Sequence, residues 1–167
     1  MNKYISIFFC VQIIALNLFA MQPKVTPVDY VRPQIDTHKS RWFFFSSASR
    51  PFGMVSLSPD TWTEGSWNSG YLYNSKEIRC FSHVHCWQLA GVPVMPTTGE
   101  VKGHKGMDAY KSTYSHETEI VKPGYHKVEL DTYQIRVELT STSRVGMHRY
   151  TYPAGEKANV LFDVGAL

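Results

Sequence analysis

The chain has 167 residues, 43% of them hydrophobic and 19% charged, with a net charge of +3. That is about one domain's length, and the apolar content excludes a disordered acidic or basic tail. The small positive balance forms no basic stripe, so nucleic acid has no electrostatic footprint here; the aromatic content of 14% favours half-buried pleated surfaces over a helical bundle.

Residues 1–20 read MNKYISIFFCVQIIALNLFA: a single Lys, an uncharged apolar run and a small Ala20. This is the order of a secretory signal peptide cut after Ala20. The apolar run is short for a membrane span and is interrupted by Gln12 and Asn17. The expectation is a secreted or periplasmic protein that leaves the membrane on cleavage, with residues 21–167 as its one folded domain. Residues 22–40 read as an extended lead-in, and 41–47 (RWFFFSS) as a dense aromatic run that needs cover.

Pro51-Phe52-Gly53-Met54 reads as a turn feeding a strand at 54–57, followed by a loop over 58–68. Strands are predicted at 70–73 and 78–85. Further on, 113–119, 125–130, 135–140, 145–152 and 159–164 are strand candidates, separated by turn residues such as Lys122-Pro123-Gly124. In YHKVEL and IRVELT, bulky apolar residues alternate with His, Lys, Glu and Arg, the period-2 signature of strands with one wet face. A strand every ten residues or so predicts an all-β fold, an antiparallel meander of the sandwich type. The apolar strand close to Leu167 is expected to be an edge, an arrangement that natural sheets usually protect.

Cys80 and Cys86 share one strand face, about 20 Å apart if the strand is continuous. A disulfide needs Cα atoms within ~7 Å, so buried free thiols are favoured unless a turn intervenes. Cys80-Phe81-Ser82-His83-Val84-His85-Cys86 invites a zinc reading. On a strand, however, His83 and His85 face away from the two Cys, and hydrogen-bonded histidines in a sheet or at a cleft wall are favoured. The acids show no local motif for the carboxylate pair, roughly 6.5–9.5 Å apart, of inverting glycoside hydrolysis. No phosphate loop and no G-x-S-x-G elbow occurs.

Three stretches then stand out: RPFGMVSLSPDT (50–61), SGYLYNSKEIRCFSHVHCWQLAGVPVMPTTGE (69–100) and KPGYHKVELDTYQIRVELTSTSRVGMHRYTYP (122–153). Together they resemble the N-terminal domain of glycoside hydrolase family 92, over about residues 28–164. The resemblance implies a calcium-dependent, inverting exo-α-mannosidase built from a β-sandwich of the supersandwich type followed by an (α/α)6 barrel. The barrel would supply the acid, the base and most calcium contacts, so no catalytic residue and no metal ligand is expected in this segment. The implied partners are α-mannoside glycans and the barrel itself. The implied sugar-site wall is Phe52, Gly53, Trp67, Tyr71, His83 and His85. The expected role is to pack on the barrel and shape the mannose pocket, without activity alone; a stand-alone carbohydrate-binding module is the alternative. Linkage preference and oligomeric state stay open.

Overall fold

The computed structural model describes residues 25–38, 48–63, 70–86 and 88–165. The expected signal peptide, the aromatic run at 41–47, Trp67 and Trp87 lie outside these. The chain divides into two units, Met1–Tyr30 and Val31–Leu167. The described part of the first holds a 3-10 turn, Pro27–Tyr30. It is capped by Asp29, whose carboxylate accepts from the Thr26 backbone N–H and hydroxyl.

The described residues of the second unit form thirteen strands: β1 Ala48–Ser49, β2 Ser56–Asp60, β3 Glu77–Ile78, β4 Cys80–Ser82, β5 Val84–Cys86, β6 Gln88–Ala90, β7 Val94–Thr98, β8 Ser112–Thr113, β9 Ile120–Lys122, β10 Tyr125–Leu130, β11 Ile135–Ser141, β12 Gly146–Thr151 and β13 Ala158–Phe162. One antiparallel sheet runs β1-β2-β4-β7-β13, a second runs β12-β11-β10-β9, and β3-β8 and β5-β6 form two small ribbons. The only α-helix among the described residues is a single turn, α1, Met107–Tyr110.

The two larger sheets pack through β1 and β2 against β10 and β11. The reason is legible in the alternation: Val128, Leu130, Ile135, Val137 and Leu139 are fully buried, as are Ala48, Leu57 and Phe81 opposite. The outward positions pair charges across the ladder, Lys127 beside Glu138 and Glu129 beside Arg136. Arg136 Nε donates to Glu129 at 2.7 Å. Pro123 and Gly124 close the β9–β10 hairpin. Gly124 has φ 76°, the left-handed corner that a side chain would make costly.

The strands at 125–130, 135–140, 145–152 and 159–164 fall where the period-2 pattern puts them, within two residues. Elsewhere local context wins. The strand expected at 54–57 starts at Ser56 and continues through Ser58-Pro59-Asp60, where a loop was predicted. The strand expected at 70–73 is reduced to one bridge between Gly70 and Trp62. The strand expected at 78–85 breaks into β3, β4 and β5, with a bend at His83. The strand expected at 113–119 ends after Thr113. β7 is an unpredicted strand containing Pro96. It tolerates the missing N–H because its pairing with β4 is limited to Phe81–Val94, while β13 holds the other side. β13 is an edge strand, with Val160 and Phe162 exposed. Cys80 is a buried free thiol.

Leu139→Ala should cost about 2–5 kcal/mol, since it opens a cavity between the sheets. Ile120→Ala, on partly exposed β9, should stay within about 0.5 kcal/mol. Urea denaturation of both variants checks the ranking.

Candidate functional site

The sequence P-F-G folds as a tight turn in which the Gly53 N–H donates to the Arg50 carbonyl at 2.9 Å. Pro51 suits the first corner because its ring fixes a negative φ. Phe52 occupies the second corner at φ 58°, a position where glycine or asparagine is usual. Its ring is completely exposed. An aromatic side chain held in left-handed backbone and displayed to solvent is strain with no packing return, the kind of outlier that marks functional surface. Met54, Val145 and Met147 are also exposed. The turn is tied to the β11–β12 connection by the Met54 N–H donating to the Ser143 carbonyl at 2.8 Å. An open groove of about 420 Å³ lies along the turn, lined by Val31, Pro33, Arg50, Phe52 and Pro123 among others.

His83 joins the same region from the other side. At Gly146 a Cβ would fall 2.8 Å from His83 Nε2, closer still to its Cδ2, and 3.2 Å from Val55. Only glycine lets β12 approach this closely. Two residues on, His148 Nε2 lies 2.9 Å from His83 Nε2, and His148 Nδ1 lies 2.7 Å from the Tyr150 hydroxyl. Phe81 meets the His148 ring edge-on. Burial first, and then the neighbouring His83, push His148 down to about 4. Burial and then His85 also lower His83, against the opposing pull of Asp60.

His85 points inward. Its Nε2 lies 2.6 Å from Asp60 Oδ1 and 3.1 Å from the Ser82 hydroxyl, and its Nδ1 lies 2.6 Å from the Ser56 carbonyl. Burial disfavours its charge, but the Asp60 carboxylate and the Ser56 carbonyl outweigh that and raise its pKa. The Cys80 thiol donates to the other Asp60 oxygen at 3.5 Å. Ser, His and Asp therefore meet here, but Ser82 and Asp60 share one ring nitrogen. A nucleophile-activating triad needs them on opposite nitrogens.

Tyr71 belongs to a different cluster. Its hydroxyl donates to Glu119 at 2.9 Å. The same carboxylate takes Gln34 Nε2 at 3.2 Å, lies 2.6 Å from His116 Nδ1 and 2.8 Å from His126 Nε2. Burial raises the Glu119 pKa, but His126, His116 and Tyr71 together hold it below the usual carboxylate value. His116 in turn stacks on Tyr73, with ring centroids 4.0 Å apart.

The structure thus brings Phe52, Gly53 and His83 to one rim, sets His85 just beneath it through Ser56, and places Tyr71 in the interior with Glu119. Gly146, His148 and Tyr150 are site residues that the sequence reading did not single out. Their alternate spacing on one predicted strand was the available signal. Among the described residues no three His, Cys, Asp or Glu side chains gather as a metal-ion site. Several carboxylates face cations: Glu138 takes Arg149, Glu129 takes Arg136, and Glu77 takes Lys111.

The family model for the glycosyl hydrolase family 92 N-terminal domain matches residues 30–167. Among solved structures, the chain is similar to a family 92 α-mannosidase from Bacteroides thetaiotaomicron, crystallised with mannoimidazole. Identity is 35% and the TM-score 0.69, over 80% of this chain and 19% of that one. It is also similar to an inverting family 92 mannosidase from Bacteroides thetaiotaomicron VPI-5482, at 26% identity and TM-score 0.69, over 83% of this chain and 20% of that one. The chain spans about a fifth of the length of these enzymes. No curated protein matches it.

Two outcomes follow from the His83–His148 seam. Gly146→Ala should lose about 1–3 kcal/mol in denaturant unfolding, because the new methyl drives into the His83 ring. Stability should also fall with acid. His148 binds its proton less readily when folded than its ordinary 6.5 allows, so the unfolded chain takes up more protons as the pH drops from 6.5 towards 4. The raised His85 contributes a constant amount below 6.5, and Glu119 matters only below its usual 4.5. Between pH 6.5 and 4.5 His148 alone should account for a loss on the order of 2 kcal/mol, and the lowered His83 acts in the same direction. Thermal melts of His148→Phe should show a flatter profile in that window.

Proposed function

The chain belongs to glycosyl hydrolase family 92, as that family's N-terminal domain, and from this we propose that it packs on a separate catalytic domain and supplies part of the wall of an α-mannoside pocket. The observation that carries the reading is Phe52, a fully exposed ring held at φ 58°, four residues before Ser56, whose N–H donates to the carbonyl of the half-buried His83. Aromatic faces stack on the apolar faces of sugar rings, and imidazole nitrogens meet hydroxyls, the few-polar-groups-among-apolar recipe of small-ligand sites. The exposed Met54, Val145 and Met147 around them suit contact with another folded surface. Gly53 keeps the turn close, and His85 supports the rim from beneath. Trp67 completes the proposed wall on the strength of the family motif, whereas Tyr71 is fully buried against Glu119 and does not face a ligand.

In this reading the chain performs no hydrolysis alone. The buried carboxylates Asp60 and Glu119 are engaged with His85, His116 and His126, and Glu138 with Arg149. Calcium, if the complete enzyme uses it, is held by residues of the other domain. The leading 20 residues direct export to the periplasm or the medium.

Phe52→Gly relieves the left-handed strain and should stabilise the chain by about 1 kcal/mol. In an enzyme that contains the catalytic domain, the same variant should raise the KM for aryl α-mannosides. Unchanged kinetics would remove Phe52 from the pocket wall. The isolated chain should show no turnover on an aryl α-mannoside. Turnover that is lost on mutating the chain's own carboxylates would sink the non-catalytic reading, and mannose binding by the isolated chain at millimolar sugar would favour the stand-alone binding module.

A further inference from the structure

The Tyr150–His148–His83 row has a direction. His148 Nε2 and His83 Nε2 are 2.9 Å apart, so one of them carries a hydrogen and the other accepts it. His148 Nδ1 meets the Tyr150 hydroxyl at 2.7 Å. Two arrangements satisfy both contacts. In one, Tyr150 donates to His148 Nδ1 and His148 Nε2–H donates to His83. In the other, His83 Nε2–H donates to His148, and His148 Nδ1–H donates to Tyr150. The second leaves the phenol hydrogen with no acceptor among the described residues, in a half-buried position beside Tyr152. The first leaves the His83 Nδ1–H without a protein acceptor instead, but the His83 ring is the less buried of the two, so water can take that hydrogen more readily than it can take the phenol's, and the first arrangement prevails. Burial also raises the Tyr150 pKa and keeps the phenol protonated, as a donor must be.

We propose that Tyr150 and His148 act as positioning residues that lock His83 in one tautomer, with Nε2 accepting from His148 and Nδ1 carrying the hydrogen. His83 Nδ1 has no partner among the described residues, and the ring is half-buried. The locked ring therefore offers a fixed N–H donor to a ligand oxygen. Gly146 makes the lock possible by letting β12 lie against the His83 ring. The groups facing the pair are the buried His85 and Asp60 beneath His83, and Tyr150 on β12 with Tyr152 just beyond its end. Of these, Asp60 is already engaged by His85. Because His148 is held low, the row keeps its single shared proton at neutral pH. The ligand class rests on the reading of His83 as part of a sugar wall; the tautomer lock does not.

Ring-nitrogen NMR of the histidines in the full chain tests it. At neutral pH, His83 should show a protonated Nδ1 and an accepting Nε2, and His148 a protonated Nε2. Tyr150→Phe should free His148 to turn over its tautomers and give His83 a mixture of both, with little change in melting temperature. His148→Phe removes the donor altogether and should give the same mixture at His83, which keeps the test alive if one variant does not fold. A protonated Nε2 on His83 in the wild type, or an unchanged single tautomer in both variants, would overturn the proposal. Titration of an enzyme that contains the catalytic domain with methyl α-mannoside separates the two readings. A shift confined to His83 Nδ1 supports both, whereas an intact lock with no sugar response overturns the sugar wall and leaves the lock standing.

Discussion

The rim of this domain depends on one close approach: at Gly146 the backbone of β12 lies against the His83 ring, with no room for a side chain between them. That contact joins the end of the four-stranded sheet to the bend between β4 and β5. It brings His148 within hydrogen-bond distance of His83. It also sets the 142–145 connection where the Ser143 carbonyl can take the Met54 N–H, which fixes the turn that displays Phe52. A Cβ at Gly146 would push on the histidine row and the aromatic turn together.

Among the described residues, two carboxylates are buried beneath the rim, and both are matched by imidazoles. Asp60 is fully buried against His85 and Cys80, while Glu119 collects Tyr71, Gln34, His116 and His126. An isolated buried charge is expensive, and removing one partner from such a group costs far more than the pair contributes net. These clusters cross-link distant parts of the chain: Asp60 joins β2 to β5, and Glu119 joins β10 to the segments carrying Gln34 and Tyr71. They specify the fold and leave neither carboxylate free to take or give a proton to a ligand.

The contrast with Phe52 is informative. The buried Asp60 and Glu119 carboxylates are matched by partners, whereas this ring is displayed in a backbone conformation that favours glycine. Stability alone selects against that arrangement. The proposed role, at a surface that meets a sugar or another domain, would account for an aromatic residue on a turn where glycine fits better.

The sequence by itself determined the all-β class, the two long hairpins and the family. The alternation in YHKVEL and IRVELT is a local property that survives without knowledge of neighbours, and the PFGM, FSHVH and GMHRYTYP stretches are long enough to identify relatives. It did not reveal β7, whose Pro96 reads as a strand breaker until β13 is found beside it. Nor did it reveal the bend that turns His85 inward to Asp60 while leaving His83 at the rim. Trp67 was legible as a motif residue but lies outside the described structure. Tertiary packing alone decided which polar residues meet. Tyr71 and Glu119 are 48 residues apart in the chain, and His83 and His148 are 65 apart. Periodicity reports which face a side chain occupies, but only the stacking of two sheets decides what stands opposite that face.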